Sequence, residues 1–366
     1  MTKAAALFQP FKLGSLELAN RIVMAPMTRS FSPGGVPGED VVAYYRRRAQ
    51  NAVGLIITEG TTIDRAGASF DPNIPNFHAP DSLAGWKKVV DAVHAAGGKI
   101  APQLWHVGLA RRPGTGPNPD APSDSPSGVL PDGKSVGKPM SDEDIADTIH
   151  AFAKGAKAAV EIGFDAIELH GAHGYLIDQF FWEGLNRRTD RFGGDLKGRV
   201  TFAEEIVRAV RAEMPAAMPL ILRYSQWKQQ DYSARLAETP QELETFLAPL
   251  GDAGVDIFHA STRRFWIPEF EGSELNLAGW TKKLTGKPVI TVGSVGLNSD
   301  FLGAFMGENS PAASLDGLIK RFEDGEFDLV AIGRALLSDP QWAAKVRDGR
   351  FDQLADFSAE ALKELV

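Results

Sequence analysis

Gly163-Phe164-Asp165-Ala166-Ile167 runs without interruption into Glu168-Leu169-His170-Gly171-Ala172-His173-Gly174-Tyr175-Leu176. The first half is a short apolar run opened by Gly, the pattern of a buried strand. The second half presents two imidazoles and a phenol within six residues. Each of those rings carries polar atoms that need partners when buried, so they make a poor core. They make sense if the carboxyl end of the strand opens into a pocket. There two imidazoles can hold an oxygen atom and a phenol can deliver a proton, with three satisfied structural side chains as the plain alternative.

Working outward, the same buried-strand pattern recurs along the chain. Arg21–Ala25, Gly54–Gly60 and Lys99–Trp105 precede the opening stretch, and Pro219–Ser225, Val255–Ala260, Pro288–Gly293 and Asp328–Gly333 follow it. Helical spacing of apolar residues separates them, as in Leu83, Trp86, Val89, Val90 and Val93, or Ile145, Ile149, Phe152, Ala156, Ala159 and Val160. Ser141-Asp142-Glu143-Asp144 reads as a capping box, and Thr239-Pro240-Gln241-Glu242 as a capped helix start with Pro at the first position. Phe11–Leu18 alternates around Gly14 and predicts a small N-terminal hairpin.

Eight apolar strands alternating with helices predict one (β/α)8 TIM barrel spanning residues 1–366. A doubly wound sheet is the alternative, but no Gly-x-Gly-x-x-Gly follows the first strand. Residues 106–140, rich in Pro, Gly and Ser, are too long for an ordinary connection and read as a lid-like insertion after the third strand.

Composition narrows the classes of function. The chain has 366 residues, no Cys, a net charge of −8 and 43% apolar residues, enough for a large core. Lack of Cys excludes disulfides, thiolate nucleophiles and Cys-ligated metals. The acidic balance argues against nucleic acid, and Arg46-Arg47-Arg48 reads as a solvated helix face. Without a signal-peptide core or a membrane-length apolar run, the expectation is a cytoplasmic protein with no membrane partner, a monomer or homodimer.

In a barrel, residues just beyond each strand converge on one face. These are Pro26, Met27 and Thr28; Gly60; Gln103, Trp105 and His106; His170, His173 and Tyr175; Arg223; Ser261, Arg263 and Arg264; Gly293 and Ser294; and Gly333 and Arg334. The last two pairs follow strands seven and eight, where barrels frequently bind phosphate through backbone N–H groups and Arg. Arg223, set between apolar residues, needs an anion, either a ligand or a structural partner such as Glu168. Glu168 itself reads as pointing the other way along its strand. Gln103 offers a donor and an acceptor suited to an imide edge. A zinc site built on His106, His170 and His173 would leave the phosphate loops unused, and no metal is expected. An aldolase or isomerase acting on a phosphorylated substrate lacks a strand-end Schiff-base lysine, since Lys228 falls in a polar loop.

Taken together, Asn20–Arg29, Gln103–His106, His170–Tyr175, Asp178-Gln179-Phe180, Asn186–Gly194 and Ala331–Arg334 resemble the Old Yellow Enzyme family of FMN-dependent ene-reductases over nearly the whole chain. The absence of Cys at Thr28 and the presence of His at 173 resemble its Thr-type bacterial branch. That resemblance implies non-covalent FMN, with NADPH or NADH as reductant and an activated alkene as the small-molecule substrate. It implies that Pro26, Met27 and Gly60 line the flavin, Thr28 tunes it, Gln103 binds its pyrimidine edge and Arg223 lies near its reduced charge. Gly293, Ser294, Gly333 and Arg334 would hold the phosphate. His170 and His173 would bind the substrate oxygen, Tyr175 would protonate the substrate, and Trp105, Trp266 and Phe357 would shape the pocket. Ser225–Tyr232, Arg263–Trp266 and the insertion-like 303–315 depart from the family pattern.

Overall fold

The computed structural model describes residues 3–299, 303 and 307–366; within the insertion-like segment, residues 304–306 lie outside the described residues. Eight strands close a barrel: β3 (Ile22–Met24), β4 (Leu55–Thr62), β5 (Lys99–Trp105), β6 (Ile167–His173), β7 (Leu220–Lys228), β8 (Ile257–Ser261), β9 (Val289–Val292) and β10 (Leu329–Ile332). All neighbours pair in parallel, and β10 returns to β3. The predicted (β/α)8 barrel is the fold. Before it, β1 (Phe11–Leu13) and β2 (Leu16–Leu18) form the antiparallel hairpin about Gly14, whose φ of 57° suits a residue without Cβ.

Local signals set the helix ends. In Asp142–Ile162 the Ser141 hydroxyl accepts from the Asp144 N–H and the Asp144 carboxylate accepts from the Ser141 N–H, as the capping box requires. That helix stops at Gly163, in the left-handed region at φ 99°. Thr239 caps Pro240–Ala253, but the Glu242 carboxylate reaches back to the N–H of Glu238 rather than to the cap residue.

The barrel interior is layered. Strand side chains alternate in and out, and the lowest inward layer is wholly apolar: Val23, Leu55, Ala101, Ala166, Ile221, Ile257, Ile290 and Leu329, with Leu16 and Leu18 of the hairpin closing the bottom. One step up β5 to β8 the inward residues are Gln103, Glu168, Arg223 and His259, all buried, whereas the other strands carry apolar Ala25, Ile57, Val292 and Ala331. Glu168 shares a face with Ala166 and His170 because strand side chains repeat every two residues, so it points inward rather than the other way.

Two further expectations are overturned. Arg48 is fully buried, not solvated; its guanidinium lies 3.9 Å over the Tyr44 ring and donates to the carbonyls of Tyr44 and Leu336. Lys228 ends β7 rather than sitting in a polar loop, and its fully buried Nζ lies 2.5 Å from Asp178 Oδ1. The strand runs three residues past Ser225 because Trp227 and Lys228 find partners under the mouth of the barrel. No helix among the described residues is long and apolar enough to cross a membrane.

Candidate active site at the barrel mouth

The strands' carboxyl ends surround a cavity of about 470 Å³, a size that suits a small-molecule site. Pro26, Met27, Thr28, Gln103, Trp105, His170, His173, Tyr175, Arg223, Gly293, Ser294, Gly333 and Arg334 all line it. Gly60 does not: a Cβ there would come within 2.4 Å of the Trp105 ring, so its bareness seats the tryptophan. Trp266 is exposed, and Phe357 is buried 5.4 Å beneath the Arg334 guanidinium; neither lines the cavity. Leu362 supplies a C-terminal wall instead. No residue of 106–140 lines it either. That segment is cross-linked within itself, where His106 Nε2 meets Asp124 at 2.9 Å and the buried Arg111 binds the carbonyls of Asn118, Pro119 and Ala121, and Asp124 also pairs with Arg65 after β4. His106 is thereby committed away from His170 and His173. Among the described residues no His, Cys, Asp and Glu cluster could hold a metal. Arg264 turns from the cavity, whereas Ser261 and Arg263 face it.

At the floor, Gln103 Nε2 donates to Glu168 Oε1 at 2.8 Å and His259 Nδ1 to Glu168 Oε2 at 2.7 Å. Both bonds run sideways inside the barrel. They hold the Gln103 amide with its oxygen left over for a donor above. His259 lies beside Arg223, which lies beside His170 in the strand register. Arg223 Nη2 donates to Ser261 Oγ at 3.2 Å, not to Glu168. Burial draws the Arg223 guanidinium down to about 10, and Glu168 opposes the shift. Arg223 Nε, His259 Nε2 and Trp105 Nε1 are buried without a partner in the described structure. A buried polar atom without a partner, whether a donor such as Arg223 Nε and Trp105 Nε1 or an acceptor such as His259 Nε2, costs about 1–3 kcal/mol and calls for a ligand, water or ion to satisfy it.

On the β6 side, His170, His173, Tyr175 and Trp105 pack edge and face. His170 stands perpendicular to His173 at 5.1 Å and to Tyr175 at 4.9 Å, and Tyr175 stands perpendicular to Trp105 at 4.8 Å. Burial, then the positive Arg223, holds both imidazoles well below the usual histidine range, so they are neutral. His170 Nδ1 accepts the Ala172 N–H at 3.3 Å, which puts its proton on Nε2. His173 Nε2 lies 2.8 Å from Ser261 Oγ, and its ring stacks on Trp227 at 4.7 Å. Burial raises the Tyr175 phenol, against the hydrogen bond from Gln229. His173 adopts φ 66°, beside a register shift between Gly171 and His173. Such backbone strain in a non-Gly residue concentrates at functional sites.

At the opposite end, Ser294 is also left-handed, at φ 51°. Its hydroxyl lies 2.9 Å from the carbonyls of Arg263 and Ser299, and Arg334 Nη2 lies 3.3 Å from it. The loops after β9 and β10 therefore meet. A Cβ at Gly293 would fall 2.5 Å from Thr262 Oγ1, so only Gly fits.

Trp227 and Gln229 also line the cavity, and sequence reasoning left their segment unassigned. The signal was there: the inward parity of Ile221 and Arg223 continues through Ser225 and Trp227 to Gln229.

Comparison with known proteins adds a family. Residues 6–310 match the model of the NADH:flavin oxidoreductase / NADH oxidase family. The chain is similar to 12-oxophytodienoate reductase 7 of Oryza sativa subsp. japonica, 43% identical over 221 residues covering 57% of this chain and 55% of the reductase. A longer match, 33% over 342 residues, covers 92% of this chain and 84% of a putative 12-oxophytodienoate reductase 3 of the same plant. The matches to the first curated relatives thus span little more than half of those proteins, 55% to 58%. Among solved structures, morphinone reductase in complex with tetrahydroNAD is similar with a TM-score of 0.80 and 29% identity, over 98% of this chain and 94% of that one.

Proposed function

This chain belongs to the NADH:flavin oxidoreductase / NADH oxidase family, and from that premise we propose that it is an FMN-dependent reductase of activated C=C bonds, with NADPH or NADH as reductant. The observation that carries this reading is the division of one cavity into two walls. One wall offers neutral ring donors (His170, His173, Tyr175), and the other offers unspent polar groups (Gln103, Arg223) running to a Gly/Ser/Arg end. The residues fit FMN. The Gln103 amide oxygen and the orphaned Arg223 Nε suit the flavin's imide edge and the charge it gains on reduction. Gly293, Ser294, Gly333 and Arg334, which line the far end, would hold the phosphate. Thr28 and Met27 line the strip between. Bound there, FMN supplies hydride chemistry linking a nicotinamide to an alkene.

The chain's own residues do the rest. The Nε2–H of His170 is available to a carbonyl or nitro oxygen of the substrate. With Arg223 donating to Ser261, the Ser261 hydroxyl is directed to His173 Nε2, leaving Nδ1–H of His173 as its free donor. Two neutral N–H groups stabilise the enolate-like charge that develops on that oxygen, without the desolvation cost of a buried cation. Tyr175 stays protonated because burial raises it, and it delivers the proton to the α carbon as general acid. Trp105, stacked at 5.9 Å on His170, bounds the substrate side. Substrates carrying an enone, a maleimide or a nitroalkene have the required oxygen; nicotinamide and alkene would take turns in one cavity, a ping-pong order.

The test is direct. The purified protein should be yellow, release FMN on denaturation and oxidise NADPH or NADH anaerobically when 2-cyclohexenone, N-ethylmaleimide or a nitroalkene is added. A colourless protein that takes up no added FMN rejects the proposal.

A further inference from the structure

The proposed proton donor has a partner of its own. Gln229 Nε2 donates to the Tyr175 hydroxyl at 3.1 Å at the wall of the cavity. A phenol oxygen that accepts this bond keeps its own hydrogen for a second direction, and Tyr175 and Gln229 both line the cavity.

Gln229 is held where it stands. Its backbone N–H donates to His173 O at 3.3 Å, extending the pairing of β6 with β7 by one residue. The preceding Lys228 Nζ is buried 2.5 Å from Asp178 Oδ1, and Asp178 Oδ2 accepts the Gly174 N–H at 2.7 Å. Gly174 is packed against Gln230, whose Oε1 would sit 1.9 Å from a Cβ added there. The loop that carries Tyr175 and the strand end that carries Gln229 are thus tied at His173, Gly174 and Asp178, and the two side chains meet at a set distance.

We propose that Gln229 is the positioning residue for the protonation step, aiming the Tyr175 hydrogen into the cavity and supporting the oxygen as its proton leaves. This rests on the reading of Tyr175 as proton donor. The O–H bond of the phenol breaks, a C–H bond forms at the substrate α carbon, and the phenolate left behind accepts the Gln229 N–H more strongly than the phenol did. Solvent then reprotonates Tyr175.

The experiment compares the two half-reactions by stopped flow in FMN-loaded wild type, Gln229→Met, Gln229→Glu, Tyr175→Phe and the Tyr175→Phe/Gln229→Met double variant. Gln229→Met should slow alkene reduction relative to flavin reduction about five- to tenfold, the value of one hydrogen bond. Tyr175 works while protonated, and losing a donor raises its pKa, so the alkaline limb of the alkene step should move to higher pH. Gln229→Glu should be slower still at neutral pH, because a carboxylate accepts the Tyr175 hydrogen and turns it away from the cavity. In the Tyr175→Phe background, Gln229→Met should cost nothing more. The charge-transfer band of a bound phenolate should persist in Gln229→Met. Its loss, additive effects in the double variant, or an unmoved pH limb would overturn the role of Gln229. If Tyr175→Phe itself leaves alkene reduction at the wild-type rate, the reading of Tyr175 fails instead.

Discussion

Two layers of one barrel, about a residue pair apart along the same strands, have opposite chemistry. The lower layer, with Ala101, Ala166, Ile221 and Ile257, is apolar and fully buried. The upper, with Gln103, Glu168, Arg223 and His259 in the same strands, is equally buried but polar, and Arg223 Nε and His259 Nε2 are left without partners. Strand geometry is common to both, so the difference lies in side-chain choice alone. Burial by itself does not mark a core: the lower layer gains free energy from leaving water, whereas the upper gives some up in desolvating polar groups that the protein does not fully satisfy.

That contrast can be broken at either layer. The largest effect is expected above it: Tyr175→Phe should lower alkene turnover by about 10²–10⁴-fold, the usual worth of a general acid, while the thermal midpoint stays near wild type. A thermal shift as large as the kinetic loss would erase the distinction. Below, Ile257→Ala should destabilise the fold by about 2–5 kcal/mol in a denaturant melt with turnover per folded molecule unchanged. Arg223→Met should leave stability level or higher, because a buried guanidinium is costly, while weakening FMN by the equivalent of about 1.5–3 kcal/mol in a fluorescence titration. Stability lost without loss of affinity would move Arg223 into the structural class.

The smallest effect belongs to the 106–140 segment, which is outside both layers. Burial opposes it, but His106 and Arg65 together hold the Asp124 carboxyl down to about 2. Its folded value lies below its unfolded one, so its contribution, on the order of 2 kcal/mol, is complete above about pH 4 and is lost as pH falls through about 2. Asp124→Asn should remove that acid-side slope from the stability curve and spare turnover, since no residue of the segment lines the cavity.

Much of this was legible in the chain. Runs such as Gly163–Ile167 and Asp328–Gly333 mark strands because buried parallel strands are apolar on both faces, and spacing marks the helices between them. The ring trio at 170, 173 and 175 stands out because polar rings do not belong at the end of a core strand. Residues just past a strand could be placed at the mouth by the barrel rule alone, and most of them do line the cavity.

What only the tertiary structure decided are the contacts across strands. Glu168 joins Gln103 and His259 from residues 65 and 91 positions away, and Gln229 reaches Tyr175 across 54. Phe357 lies under Arg334 rather than in the cavity wall, Gly60 makes room for Trp105, and Arg48 is stacked on Tyr44 inside the helix layer. These depend on the stagger between neighbouring strands and on how loops pack over the rim. Local periodicity carries neither quantity. A side chain's face can be counted along its own strand, but its partner is set by the register of another.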